Sequence, residues 1–203
     1  MRSHSHSPRT PENRSGIHLL RDPGVVRRLV TSSGVGPGDL VLEFGAGTGV
    51  LTAALARTGA RVIAVERSAG FADRLHRRFD GSEAVRVVVA DARTVPLPRR
   101  PFAVVANIPY SISTELLRRL LSRQTAVTSV DLLVEWGFAK RVSAPAPRDE
   151  ETAWWQARYE ITMAGKVSRR SFTPAPGVDS AHLVIRPRKR TARATRRRGS
   201  PRI

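Results

Sequence analysis

The sequence predicts a doubly wound α/β fold, a mostly parallel sheet with an antiparallel last strand, and three observations carry that prediction. Short runs rich in Val, Leu and Ile alternate with stretches whose apolar residues recur at helical spacing, as expected of parallel strands covered on both faces and joined by crossover helices. A glycine-rich turn containing Gly45, Gly47 and Gly49 stands where the first of these runs meets the first long helical stretch. The last third breaks the alternation: "ARYEITMAGKVSR" and "SAHLVIRPR" follow one another without a helical pattern between them, which predicts an antiparallel pair at the far side of the sheet.

Residues 1–15, "MRSHSHSPRTPENRS", are polar and lack an apolar period, so they read as a flexible arm. His4 and His6 alternate with Ser there and supply too few fixed ligands for a metal. "DPGVVRRLVTSSG" then reads as one short amphipathic helix, with Asp22 as N-cap, Pro23 at the first helical position, apolar Val25, Val26, Leu29 and Val30, and Gly34 closing it. The buried-strand runs are 39–45, 61–66, 84–91, 102–107 and 129–135. "TGVLTAALARTG", "SAGFADRLHRRF" and "STELLRRLLSR" are the helices between them, each with a Ser or Thr at its start as a prospective cap. From Arg186 to the end every charge is basic and no apolar period appears, which reads as a solvated tail. The implied organisation is an arm at 1–15, a domain at 16–188 and a basic tail at 189–203. Trp154 and Trp155 fall in a charged stretch read as a loop, where packing beneath the loop is expected and stacking on exposed bases is the alternative.

A chain of 203 residues that is 40% hydrophobic is long enough for a packed core. Its 35 Lys and Arg against 17 Asp and Glu give a formal charge of +18, a surface that attracts a polyanion, with nucleic acid foremost. No apolar run approaches the ~18 residues of a membrane helix, and no signal peptide pattern or long basic amphipathic helix is visible. The absence of cysteine removes disulfides and thiolate metal sites and fits a cytoplasmic enzyme.

In an open α/β sheet the ligand lies at the carboxyl ends of the strands, beside the point where strand order reverses. The Gly45–Gly47–Gly49 turn occupies that place and leaves the backbone open to close approach. Glu66 ends the second run, where a carboxylate can accept two hydrogen bonds from a ribose diol, and Asp91 ends the third, within reach of an adenine. The turn reads G-x-G-x-G rather than the dinucleotide G-x-G-x-x-G, and Glu43 just before it would oppose a pyrophosphate while favouring a cationic amino group. S-adenosylmethionine carries such a group.

Together "VLEFGAGTGVLTAALA", "VIAVE", "VVADA", "NIPYSIST" and the Phe-x-Pro-x-Pro-x-Val-x-Ser segment within "SFTPAPGVDSAHLVI" resemble the ribosomal RNA adenine N6-methyltransferases, specifically the erythromycin-resistance type, from about residue 16 to 188. The resemblance implies a Rossmann-like class I methyltransferase, S-adenosylmethionine as cofactor, and a monomer acting on N6 of an adenine in the peptidyl-transferase region of 23S rRNA, giving macrolide-type resistance. It places His18, Leu20, Glu43, Gly45, Gly47, Glu66, Arg67, Asp91, Ala92 and Asn107 at the cofactor, and Asn107, Ile108, Pro109, Tyr110 and Phe172 at the reacting base. Phe172 would pack one face of a flipped-out adenine. No metal and no membrane are expected.

Chemistry explains why a buried strand would end on Asn107-Ile108-Pro109-Tyr110. An exocyclic adenine amine is a poor nucleophile because its lone pair is delocalised into the ring. Acceptors for both amine protons favour a pyramidal nitrogen: the Asn107 side-chain oxygen and the Ile108 carbonyl supply two, and Tyr110 offers a stacking face. No ionisable base is needed, since the amine becomes acidic once alkylated. Departures from the family are Ile17 where Gln is common, Leu19 where Phe is common, and Glu135 where Gln is common. These enzymes continue into a small helical domain, whereas here only the basic tail follows the last strand; an RNA clamp is its expected role. The alternatives are a small-subunit rRNA or DNA adenine methyltransferase and, from another class, a non-catalytic RNA-binding factor on the same fold.

Overall fold

A computed structural model describes residues 16–188, so the proposed arm and tail lie outside the described residues. Seven strands form one sheet in the order β4-β3-β2-β5-β6-β9-β7. They are β2 (Leu40–Phe44), β3 (Arg61–Glu66), β4 (Val85–Val89), β5 (Phe102–Asn107), β6 (Val127–Glu135), β7 (Tyr159–Val167) and β9 (Ser180–Pro187). β2 to β6 run parallel, while β9 lies antiparallel to both β6 and β7, so the predicted antiparallel pair sits at the far edge. Structure and sequence agree closely on β5 and β3. The third run stops earlier than expected, at Val89, which leaves Asp91 in the following loop.

The chain builds β2, β3 and β4 outward in one direction and then returns to lay β5 against the other side of β2. β2 and β3 pair from Leu40 to Phe44, but β2 and β5 pair only at Val41 with Ala103 and Leu42 with Val104. The strand order reverses between β2 and β5, and a ligand crevice is expected at their carboxyl ends.

Alternation along β2 sorts the two faces. Leu40, Leu42 and Phe44 join a core with Val104, Leu116, Leu120 and Leu132 beneath α4 (Ser113–Leu120), α5 (Trp136–Val142) and α6 (Glu150–Gln156). Val41 joins the other core with Leu29, Leu55 and Leu75, beneath α1 (Pro23–Ser33), α2 (Val50–Ala56) and α3 (Ala69–Arg78). α1 forms as predicted: Asp22 accepts hydrogen bonds from the Gly24 and Val25 amides, and Gly34 closes the helix at φ 65°. The Ser/Thr caps expected on α2, α3 and α4 do not form; Gly49, Ser68 and Ile112 occupy those positions without a side-chain capping bond. Trp154 and Trp155 lie on helix α6, not in a loop. Trp155 is buried, and the Arg158 guanidinium stacks 3.9 Å from the Trp154 ring centroid.

Asp131, fully buried in β6, ties α1 to the sheet. Its carboxylate accepts from the Ser32 hydroxyl at 2.6 Å, lies 2.9 Å from His182 Nε2, and forms an ion pair with Arg186 at 2.7 Å. A two-residue ribbon lies apart from the main sheet: β1 (Leu19–Leu20) runs antiparallel to β8 (Phe172–Thr173). No described helix is long and apolar enough to cross a membrane.

Candidate active site

The crevice at the sheet reversal is walled by the glycine turn after β2, the ends of β3, β4 and β5, and the chain entering β1. Gly45 and Gly47 hold φ of 69° and 54°, which a side chain rarely tolerates. A Cβ on Gly47 would come within 3.0 Å of the Leu19 side chain, and one on Gly45 within 3.5 Å of the Asn107 carbonyl. Gly49 serves a different purpose: a Cβ there would stand 2.7 Å from Leu75 and 3.0 Å from Phe79, so it lets α3 close against the turn and does not face a ligand.

Glu66 is buried and held from two sides. One carboxylate oxygen accepts from the Gly47 amide at 2.9 Å, the other from the Ser68 amide at 2.7 Å. A carboxylate fixed by backbone donors keeps its free lone pairs aimed into the crevice. Asp91 lines the same wall, and Arg93 covers it with Nε at 3.0 Å and Nη2 at 2.7 Å. Hydrogen bonds from the Arg93 side chain and amide, with the charges of Arg93 and Arg67, hold the Asp91 carboxyl well below the usual carboxylate range despite some desolvation. Arg67 and Ala92 also line the crevice, and the Ala92 carbonyl accepts from Arg119.

Asn107 ends β5 with its side-chain amide pointing back at β1. Its NH2 group donates to the His18 carbonyl at 2.7 Å, and because a carbonyl only accepts, this bond fixes which end of the amide is nitrogen. The side-chain oxygen is thereby turned away from His18. His18 is itself anchored, Nδ1 lying 2.8 Å from the Pro174 carbonyl, and its ring stands 5.9 Å from that of Tyr110. Tyr110 opens a short 3-10 turn after Pro109, and its hydroxyl lies 2.6 Å from that of Ser180. Burial raises the Tyr110 pKa, outweighing the Ser180 hydrogen bond, so the phenol is neutral at ordinary pH. The Ile108 side chain points into the core at 2% exposure, which leaves only its backbone to act in the crevice.

Three expected site residues sit elsewhere. Glu43 is buried beneath α2 on the opposite face of β2 from Phe44 and does not line the crevice. Its Oε2 has no hydrogen-bond partner among the described residues; burial pushes its pKa up to about 8, the Glu66 charge adds to the rise, and Thr52 opposes it. A neutral carboxyl there does not attract a cationic amino group. Phe172 is 3% exposed and packs in the core through β8, so its ring offers no face to a base. The Leu20 side chain is likewise core, and its neighbour Leu19 meets the glycine turn instead. Sequence reading missed Arg93, Ser180 and Phe71 of α3, which lines the cofactor side. The acid-x-basic spacing of Asp91 and Arg93, and Ser180 as the closing Ser of the Phe-x-Pro-x-Pro-x-Val-x-Ser segment, were the available signals. Among the described residues no group of acids and histidines could hold a metal.

A family profile described as "Ribosomal RNA adenine dimethylase" matches residues 11–196. The chain is 32% identical over 178 residues to an rRNA adenine N-6-methyltransferase of Bacillus licheniformis, covering 87% of this chain and 62% of that protein. It is 38% identical over 174 residues to a probable ribosomal RNA small subunit methyltransferase A of Methanosarcina mazei, covering 84% and 63%. The crystal structure of the 23S rRNA methyltransferase ErmE superimposes with a TM-score of 0.78 at 31% identity, covering 84% of this chain and 70% of that one. The chain thus spans under two thirds of the length of these two curated relatives.

Proposed function

Since this chain belongs to the ribosomal RNA adenine dimethylase family, we propose that it transfers a methyl group from S-adenosylmethionine to N6 of an adenine in ribosomal RNA. The observation that carries the reading is the Asn107 amide. Its nitrogen is committed to His18, which leaves the oxygen as an acceptor at the crevice, beside the Glu66 and Asp91 walls.

The crevice suits the cofactor. The turn at Gly45 and Gly47 keeps bare backbone, with a Cβ on Gly47 crowding Leu19, Glu66 offers an acceptor for ribose hydroxyls, and Asp91 one for an adenine amine. When bound, S-adenosylmethionine supplies an electrophilic methyl group on a sulfonium. The protein's part is positioning and electrostatics. The Asn107 oxygen and the Ile108 carbonyl accept the two protons of the adenine amine and turn its lone pair out of the ring. Tyr110, fixed by Ser180, presents a face for stacking, and Pro109 stiffens the turn that aims both acceptors. Loss of the proton follows alkylation, so no side chain has to act as a general base.

For the target we propose the peptidyl-transferase region of 23S rRNA, where methylation would block macrolide-type antibiotics; the protein would act in the cytoplasm as a monomer. The likeness to ErmE and the Ile of "NIPY" support this. The Ile108 side chain is buried, however, so it marks kinship without touching RNA. The small-subunit reading keeps its own support in the 38% identity to the Methanosarcina relative. Incubating the protein with radiolabelled S-adenosylmethionine and isolated 23S or 16S rRNA, followed by primer extension, separates them. Label on one adenine of 23S rRNA is expected; label on 16S rRNA alone would transfer the assignment, and label on neither would overturn methyl transfer to free rRNA.

A further inference from the structure

Away from the crevice, a second groove runs between α1 and the edge strand β7. Arg27, Arg28 and Thr31 of α1 form one wall, Gly165 and Lys166 of β7 the other, and His182 of β9 the floor; no acidic residue lines it. Lys166 is paired with Asp179 at 2.8 Å. Arg27 and Arg28 are exposed and make neither hydrogen bond nor ion pair among the described residues; Arg28 feels only the more distant charge of Asp22. Two adjacent guanidinium groups on one helix without a close ion-pair partner repel each other, a cost that an anion in the groove would relieve.

The β7 strand shapes the opening. Its register shifts between Met163 and Gly165, and a Cβ on Gly165 would meet nothing within 4 Å. The bare backbone leaves the edge open where a side chain would project into the groove.

Chain and hydrogen bonds link the groove to the substrate side of the crevice. His18, which orients Asn107, leads through β1 to Arg21, whose side chain donates to Thr173 of β8 and whose amide donates to Ser171. The Ser171 hydroxyl donates to Asp22, the cap of α1, and Arg169 and Arg170 stand exposed beside it. A helix rises about 1.5 Å per residue, so Arg27 and Arg28 lie roughly 8 Å along α1 from this junction. Arg21, Arg169, Arg170, Arg27 and Arg28 thus make a basic track along the segments that lead from His18 to the groove, with Asp22 and Asp179 as the acids among them.

We propose that this track and groove hold the phosphate backbone of the RNA strand flanking the methylated adenine, an inference that rests on the rRNA methyltransferase reading. Guanidinium groups suit phosphate oxygens bidentately, and the concave shape between a helix and an edge strand fits a strand of RNA rather than a flat lipid surface. The exposed large hydrophobic residues among those described, Val50, Val89 and Val178, lie outside the groove, so nothing in it would enter a membrane.

The test compares three proteins in binding isotherms over a salt series with in vitro transcripts of 23S and 16S rRNA: the full chain, Arg27→Ala/Arg28→Ala, and Arg57→Ala/Arg61→Ala. The last pair removes the same charge from exposed positions at the amino end of the sheet. Each phosphate contact contributes about 0.7–0.9 to the slope of log affinity against log salt, so the α1 variant should bind more weakly, with a slope shallower by about 1.4–1.8. S-adenosylmethionine affinity, measured by calorimetry, should stay that of the full chain and report an intact fold. The Arg57/Arg61 variant should keep the full slope. An α1 variant with an unchanged slope, or equal losses in both variants, overturns the groove while leaving the methyltransferase reading standing. A full chain that binds neither transcript removes that reading and the groove with it.

Discussion

The two walls of the crevice are built by different means. On the cofactor side, Glu66 is fixed by amides at Gly47, 19 residues away, and Ser68, and Asp91 by its near neighbour Arg93. On the substrate side, Asn107 depends on His18, His18 on Pro174 and Tyr110 on Ser180, each a contact across a large part of the chain. The cofactor wall therefore needs only neighbouring strands and turns, whereas the substrate wall exists only once β1, β5, β8 and β9 have come together. Damage to the first should appear as lost cofactor affinity, and damage to the second as lost turnover.

Asn107→Ala tests that division most severely. Removing one aligned acceptor from a water-excluded site costs about 2.7–4 kcal/mol, roughly a hundred- to a thousandfold in rate. Single-turnover methyl transfer should fall by that factor, with calorimetric affinity for S-adenosylmethionine close to that of the parent. Turnover near normal would break the comparison, because the amide orientation set by His18 would then serve no chemistry.

Glu66→Ala should do the reverse. Hydrogen bonds to a charged acceptor are worth about 1.5–3 kcal/mol, so cofactor affinity should drop roughly ten- to a hundredfold while rRNA affinity holds. Unchanged cofactor affinity in calorimetry would mean that the carboxylate only ties down the glycine turn.

The same division explains what could be read from the sequence. The runs at 61–66 and 102–107 became strands at those bounds because continuous β-branched segments leave little choice, and α1 carried its cap, proline and closing glycine in order. Glu66, Asp91 and Asn107 come together in one crevice because each stands at or just beyond a strand's carboxyl end. The β1–β8 ribbon was not found: two residues per strand carry no period, and Leu19 and Thr173 meet only through the tertiary fold. Phe172 and Leu20 were misplaced for that reason, since pairing across this ribbon turns both side chains into the core. Glu43 was misread because one position along β2 reverses the face, which no spacing from the glycine turn reveals.

Glu43, behind the cofactor wall, sharpens the contrast as a fully buried carboxyl beneath α2 with one oxygen unpartnered among the described residues, where both oxygens of Glu66 are held by amides. In the folded chain it keeps its proton up to about pH 8, while the unfolded value is 4.5. Between those values the folded state binds the extra proton, so the group makes stability fall as pH rises, by up to about 1.4 kcal/mol per unit, and the loss levels off above pH 8. Glu43→Gln keeps the shape and removes the titration. Urea midpoints measured at pH 5 and pH 8 should therefore differ less in the variant than in the parent, with the variant gaining relative to the parent at pH 8. Equal differences would show that Glu43 is ionised when folded.

Tyr110→Phe is the mildest intervention and isolates a single long-range tie. It keeps the ring that would stack on adenine and deletes only the hydroxyl beside Ser180. A neutral hydrogen bond of this kind is worth about 0.5–1.5 kcal/mol, and the Ser180 hydroxyl is buried, so its loss is felt locally. If the ring acts by stacking alone, KM for rRNA and kcat both stay near the parent values. If the tie to β9 aims the ring, the orientation of the base suffers while its contact area does not. In that case kcat should fall by a fewfold with KM and cofactor affinity nearly unchanged. Ser180→Ala removes the same bond from the other end and should reproduce the effect without touching the ring. Agreement between the two variants would place the cause in the contact between β5 and β9, and a fall in Tyr110→Phe alone would place it in the phenol itself.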